Sequence, residues 1–199
     1  PNIIPVDMVF FTAANGEAIY IGVGTALDMV GINTGATMPA GTGRLVAMAE
    51  ITVDPDNPGA FVPVTGIYIK ETSRELNVLS VASPNGSVVL VVPEGLLGGS
   101  NLNLLASGTL YDGTPVANAS IVASQDIRLE IADNFTTRDN SVIEAGLSIE
   151  VRGDHGNADP QGTVMDIRGR FIAPQITFYG HTDDDSILFT GTYLGGETF

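Results

Sequence analysis

The segment Asp126-Ile127-Arg128-Leu129-Glu130-Ile131 decides the fold class, because its polar and apolar residues alternate without a break. An alternation of period two places one set of side chains on each face of a β-strand. Segments 148–152 and 163–168 alternate in the same way, and Ser87–Val92 is an apolar run of strand length. A strand with one buried and one solvated face is typical of an antiparallel sheet. The pattern therefore predicts antiparallel β-structure.

Turn signals separate the predicted strands along the whole chain. Asn15-Gly16 predicts a two-residue hairpin turn that joins 6–12 to 18–22, and Asp112-Gly113 predicts another hairpin. Such signals recur roughly every 8 to 14 residues, and we find no helical period and no repeat of fixed length. We therefore expect an all-β fold with little helix: an antiparallel β-sandwich or barrel-like body of about 12 short strands. One domain is expected over 1–199, with 94–103 as the candidate point of subdivision.

The composition excludes several classes of protein. The chain has 199 residues, with 23 acidic and 8 basic residues and a net charge of −15. Binding to a nucleic-acid backbone requires a basic face, which this balance does not supply. Cysteine is absent, so a disulfide scaffold and a cysteine-ligated zinc or iron–sulfur site are excluded. No apolar run is long enough for a membrane-spanning helix.

The scarcity of charge favours assembly over an isolated monomer. Charged residues make up 16% of the chain, and Lys70 is its one lysine. Soluble monomers usually protect the edges of their sheets with lysine and other charges. We therefore expect the protein to bind copies of itself. The alternative is a monomer from an acidic, lysine-poor proteome, whose composition says nothing about contacts.

No motif indicates catalysis, and we expect the protein not to be an enzyme. There is no nucleophile elbow, no phosphate-binding loop and no dinucleotide fingerprint. A pair of carboxylates for glycoside hydrolysis is available among the acidic residues, but tryptophan, a frequent sugar platform, is absent. The tripeptide Arg152-Gly153-Asp154 has two interpretations: a receptor-binding loop, or an ordinary turn built from common turn residues.

Two loops contain candidate calcium ligands. Asp154, Asn157 and Asp159 lie in the first, and Asp183, Asp184 and Asp185 lie in the second. Calcium prefers carboxylate, amide and carbonyl oxygens, which loops of this kind provide, although neither loop matches the twelve-residue EF-hand. The alternative for each loop is a solvated turn. Calcium is the only cofactor that the residues suggest.

The setting of the protein is inferred from its first residues and from its general character. Residues Pro1–Pro5 do not begin with the basic segment and apolar segment of a signal peptide. This start favours removal of an initiator methionine over cleavage of a signal peptide. Composition and strand pattern resemble those of small β-structured virion proteins of tailed bacteriophages. The resemblance implies a non-catalytic structural protein, such as a capsid decoration or tail component, made in the host cytoplasm. Its partners would be copies of itself and a capsid or tail protein. The alternative is a secreted bacterial surface, adhesion or carbohydrate-binding module at the cell surface or outside the cell, with or without calcium.

Overall fold

The structure is a computed structural model. It describes residues 8–12, 18–22, 30–32, 44–49, 51–53, 61–63, 66–71, 75–94, 99–110, 113–156, 160–181 and 183–197. These residues form strands, turns and irregular segments without a helix, which confirms the all-β prediction. They therefore include no helix of the length and apolarity needed to cross a membrane.

The described residues form 21 strands, most of them short, whereas the sequence predicts about 12. Their bounds are β1 Met8–Thr12, β2 Ala18–Gly22, β3 Val30–Ile32, β4 Leu45–Met48, β5 Ile51–Val53, β6 Phe61–Pro63, β7 Gly66–Glu71, β8 Leu76–Ser83, β9 Ser87–Val92, β10 Leu102–Leu104, β11 Gly108–Thr109, β12 Pro115–Val116, β13 Ser120–Ala123, β14 Asp126–Ile131, β15 Phe135–Thr137, β16 Val142–Ala145, β17 Ser148–Arg152, β18 Val164–Ile167, β19 Arg170–Tyr179, β20 Ser186–Phe189 and β21 Thr192–Glu197.

The prediction of an antiparallel sandwich or barrel is wrong. Fifteen strands belong to one sheet, and every pair within it is parallel. Antiparallel pairing is confined to three small pairs: β1 with β2, β5 with β6, and β11 with β12. Consecutive strands of the main sheet do not fold back on one another. Each strand instead pairs with the equivalent strand of the previous and the next coil.

The parallel pairs arrange the chain as a β-solenoid with three sides. Side A consists of β3, β7, β9, β14, β17 and the end of β19. Side B consists of the start of β8 and of β10, β15, β18 and β20. Side C consists of β4, the rest of β8, β13, β16, the start of β19 and β21. From β7 onward, the chain visits the sides in the order A, B, C in each coil.

Alternation within each strand fills the solenoid with columns of apolar side chains. The register on side A stacks Ile67, Val88, Ile127, Ile149 and Ile176. All five are buried. They are spaced by 21, 39, 22 and 27 positions, so the coils differ in length and leave no fixed repeat in the sequence. The coil of 39 residues from β9 to β14 contains the β11–β12 pair as an insertion between β10 and β13.

The columns of the other two sides meet that of side A in one core. Side B contributes Leu76, Leu102, Phe135 and Met165, and side C contributes Val81, Ile121, Ile143 and Phe171. Phe171 joins the sides, because its ring centroid lies 6.3 Å from that of Phe135 and 5.6 Å from that of Phe178 on side A. Buried residues before and after 94–103 belong to this one cluster.

Where the chain passes from one side of the solenoid to the next, the turns change its direction without reversing it. The turn at Ser83-Pro84-Asn85-Gly86 connects β8 on side C to β9 on side A, two strands that do not pair. Each strand of the solenoid has one face in the core and one face toward solvent, so its apolar and polar residues alternate as they do in an antiparallel sheet. Most parallel sheets differ, because they are buried on both faces. The alternation therefore could not distinguish the two arrangements.

Local antiparallel pairs exist at two predicted hairpins, but the second is much shorter than predicted. The sequence predicts that Asp112-Gly113 joins 104–111 to 116–123, whereas β11 pairs with β12 over two residues each and Ser120–Ala123 belongs to side C. β1 pairs with β2 in a register that places Thr12 opposite Ala18, and Gly113, at φ 87°, lies in the loop between β11 and β12. The turn residues predicted at Asn15-Gly16 lie outside the described residues.

Candidate functional site

The A–B corner of the solenoid brings together loops that are distant in sequence. The segments 132–134, 153–163 and 180–185 follow β14, β17 and β19. Glu130, Arg152 and Tyr179, near the ends of these three strands, are in register on neighbouring strands. The loops that follow them therefore lie one above another. Both predicted calcium loops belong to this corner.

A cleft of about 420 Å³ opens at this corner in the last two coils, and we call it the corner cleft. Its lining consists of Arg152, Gly153, Asp154, His155, Gly156, Tyr179, Gly180 and His181. The two histidines are the only ones in the chain, and they stand 26 positions apart in the sequence. The register of β17 on β19 is what places them at one site.

Asp154 is the buried acid of the corner cleft, with 4% of its surface exposed. Its backbone adopts φ 49°, and its N–H donates to Thr163 Oγ1. The preceding residue, Gly153, donates its N–H to Tyr179 O at 2.8 Å, which ties the loop to the next coil. The Asp154 carboxylate oxygen Oδ2 lies 3.6 Å from Nδ1 of His181.

The second histidine pairs with a second poorly exposed acid. His155 Nδ1 lies 3.5 Å from Glu130 Oε2, and Glu130 is 8% exposed. The backbone N–H of His155 donates to Ile131 O at 2.9 Å, which fixes the loop against the coil below. Each imidazole of the corner cleft thus faces a carboxylate from another part of the chain.

Arg152 forms one wall of the cleft through an ion pair and a ring contact. Its Nε donates to Glu150 Oε1, and this hydrogen bond raises the pKa of the arginine above its ordinary value. The guanidinium carbon lies 5.3 Å from the centroid of the Tyr179 ring. Arg152 therefore stays charged and is held between the carboxylate and the aromatic face.

The predicted calcium ligands are only partly described, and the part that is described is engaged in turns. Asp185 accepts the N–H of Thr163 at 2.7 Å through Oδ1 and the N–H of His181 at 2.6 Å through Oδ2. Asp183 accepts the N–H of Asp185 at its backbone oxygen, and Asp184 lies in the same loop. Asn157 and Asp159 lie outside the described residues. Calcium binding at these loops stays a prediction.

Within the described ranges, no group of three or more His, Asp or Glu side chains is arranged to hold a metal ion. The residues Arg152-Gly153-Asp154, for which the sequence allows a receptor-binding loop, are held at the corner by contacts within the chain. The Asp154 side chain is buried, and the Arg152 side chain is held by Glu150.

A second cleft of about 370 Å³ lies along the same corner, and we call it the amide cleft. Asn134 donates Nδ2–H to Asn101 Oδ1 at 3.0 Å, and its own Oδ1 accepts the N–H of Val164 at 3.2 Å. Asp133 Oδ2 accepts the N–H of Ser100 at 2.6 Å. Gln161 also lines this cleft.

The outer surfaces of sides A and C differ in charge. On side A, the two central outward columns are Tyr68, Val89, Arg128, Glu150, Thr177 and Lys70, Val91, Glu130, Arg152, Tyr179. On side C, the outward columns are Val46, Ser80, Ser120, Val142, Arg170, Thr192 and Met48, Ala82, Val122, Glu144, Ile172, Leu194. Side C thus has one acid and one base among twelve outward positions.

The sequence did not indicate the corner cleft as a unit. No sequence motif connects the residues of this site, which lie far apart in the chain: Glu130, Arg152, His155, Tyr179 and His181. Asp154 and the loop 183–185, which the sequence predicts as parts of two separate candidate calcium sites, both lie at this corner. No protein-family model, curated protein or solved structure matches this chain.

Proposed function

We propose that the protein is a non-catalytic structural component that associates with copies of itself through side C. Such a component would form part of a larger particle, and a bacteriophage virion is the setting that the composition favours. The observation that supports the proposal is the low charge and high apolar content of the outward columns of side C. A second copy of this chain is the occupant that we assign to that side.

One outward column of side C is apolar at five of its six described positions. Met48, Ala82, Val122, Ile172 and Leu194 are in register on successive strands, interrupted only by Glu144. Met48, Glu144 and Leu194 are exposed. Ala82, Val122 and Ile172 are half-buried. Burying such a column against another copy removes apolar surface from water, which is the main driving force of association.

The net charge of the chain limits which surfaces of two copies can come into contact. Each copy has a net charge of −15, so most surfaces of two copies repel each other. The outward columns of side C contain one acid and one base, Glu144 and Arg170, and contribute no net charge to the contact. Contact through side C therefore adds no like-charge repulsion of its own to the general repulsion between the two copies.

The size of the patch limits the strength of the contact. Six strands about 4.8 Å apart and four residues wide present about 300 Å², against the ~800 Å² per partner of a standard interface. The flanking corners must contribute the remainder. We therefore expect self-association in the micromolar range rather than a permanent dimer.

Sedimentation velocity at tens of micromolar tests the proposal. Val122→Lys places a charge in the centre of the apolar column and is expected to shift the protein to monomer. Val89→Lys is the matched control, because Val89 is an outward, half-buried valine on side A. It is expected to leave association unchanged. A wild-type protein that remains a monomer, or equal effects of the two variants, would contradict association through side C.

A further inference from the structure

We propose that the corner cleft binds a neutral oligosaccharide. This inference goes beyond self-association, because the cleft lies at the A–B corner and side C is not part of it. Three properties of the cleft support the assignment: an exposed aromatic ring, a mixed set of hydrogen-bonding side chains, and internally compensated charge.

Tyr179 provides the aromatic platform. Its side chain is 47% exposed at the rim of the cleft, and the Arg152 guanidinium packs against one face of the ring at 5.3 Å. This contact limits the motion of the ring, so little conformational entropy remains to be lost on binding. Pyranose rings present an apolar face of C–H groups, which packs well on an aromatic ring with one polar end.

The polar groups of the cleft match the hydroxyls of a sugar. A hydroxyl both donates and accepts hydrogen bonds, and it is best satisfied by a set of groups that does both. Asp154 supplies an acceptor, Arg152 supplies donors, and the imidazoles of His155 and His181 supply both kinds of group. Gly156 has no side chain, and the space that a Cβ would occupy there is open, so a ligand can approach its backbone closely.

Charge favours a neutral ligand over an ionic one. The charge of Arg152 is already compensated by Glu150, and the buried Asp154 carboxylate would repel an anion. A metal ion lacks a suitable group of ligands in the part of the chain that the structure describes. A neutral polyhydroxyl compound meets neither obstacle and still uses every group that lines the cleft.

The amide cleft indicates a ligand with several rings. It lies on the same A–B corner, and its lining of Asn101, Asn134 and Gln161 offers amide donors and acceptors for further hydroxyls. A chain of sugar units that follows the corner would contact both clefts. We therefore expect affinity to increase with the length of the oligosaccharide.

A printed array of neutral and acidic oligosaccharides tests the assignment with the full chain, and isothermal titration with the strongest neutral ligand follows. Tyr179→Ala is expected to weaken binding roughly tenfold, in line with the loss of an aromatic contact. Tyr68→Ala is the matched control, because Tyr68 is an outward tyrosine on side A that does not line the cleft. It is expected to bind as the wild type does.

His181→Gln is a second variant in case Tyr179→Ala fails to fold. It keeps hydrogen-bonding capacity but changes its geometry, and it is expected to weaken binding while leaving the melting temperature nearly unchanged. Binding of no neutral oligosaccharide, binding of acidic oligosaccharides only, or equal affinities of Tyr179→Ala and Tyr68→Ala would each overturn the assignment. Val122→Lys is expected to bind the sugar normally, so failure of one proposal leaves the other intact.

Discussion

Sides A and C share one core but present opposite chemistry to solvent. Their inward columns are alike, with Ile127 and Ile149 on side A and Ile121 and Ile143 on side C, all fully buried. Their outward columns differ, because the two central columns of side A include Lys70, Arg128, Glu130, Glu150 and Arg152, whereas side C has one acid and one base. The comparison teaches that inward residues hold the coils together, while outward residues are free to differ between sides.

Parallel register explains how each side acquires a uniform surface. In a solenoid, equivalent positions of successive strands lie one above another and form a column. If the residue at that position is of the same type in every coil, the surface carries a continuous stripe. On side A, the stripe becomes a network of ion pairs, in which Glu150 accepts from Arg152 and lies 3.5 Å from Nε of Arg128. On side C, the same geometry creates an apolar stripe.

The largest expected effect concerns the shared core. Ile149→Ala on side A and Ile143→Ala on side C each leave a cavity between fully buried columns. Each is expected to lower the free energy of unfolding by about 2–5 kcal/mol. Urea unfolding followed by circular dichroism measures both. A loss under about 1 kcal/mol for one variant alone would show that the two sides do not share one cooperative core.

A smaller loss is expected at the corner where side C leads into side A. Gly146 is exposed, yet an added Cβ would lie 2.1 Å from Ser124 O in the coil below. Gly146→Ala must therefore separate two stacked corners, at about 1–3 kcal/mol.

Leu147→Ala is the matched control for the corner, since Leu147 is the next residue and is 56% exposed. Thermal melting is expected to show a clear decrease for Gly146→Ala and little change for Leu147→Ala. Equal melting temperatures for the two variants would contradict the close stacking of the corners.

The smallest effect separates the outward surfaces of the two sides. Glu150→Gln removes the negative charge that Arg152 and Arg128 share on side A, and it is expected to cost under about 1 kcal/mol because these groups are partly solvated. The loss is expected to diminish at high salt. Glu144→Gln on side C is the control, and a salt-dependent loss there of equal size would contradict the difference between the two surfaces.

The strands were predictable from the sequence, but their pairing was not. Asp126–Ile131 is a strand with alternating burial up to Leu129, as expected, yet its neighbours are β9 and β17 rather than the adjacent β13 and β15. The coils stack over steps of 21 to 39 residues, as the partners of Val88 illustrate. Alternation reports only that one face is solvated, and the loops of variable length conceal the repeat.

The candidate site was predictable only in part. Asp154 and Asp185 were selected as polar loop residues, and both lie at the A–B corner, where Asp185 caps two backbone amides. Tyr179 and Glu130 were not selected, because nothing in their local sequence distinguishes them from other strand residues. They become neighbours of Arg152 through strand register alone.

The sequence by itself determined the all-β class, the positions of most central strands, the local β1–β2 and β11–β12 pairs, and the acidic, cysteine-free character of the chain. These properties depend on residues close together in the chain or on composition, which side-chain period and turn chemistry express directly. Only the tertiary structure decided the parallel register, the three sides and the corner cleft. Each of these features depends on which distant strands form backbone hydrogen bonds with one another. Because the backbone groups are the same in every residue but proline, local sequence does not specify the partner of a strand. The sequence specifies the partners only through the packing of the whole core.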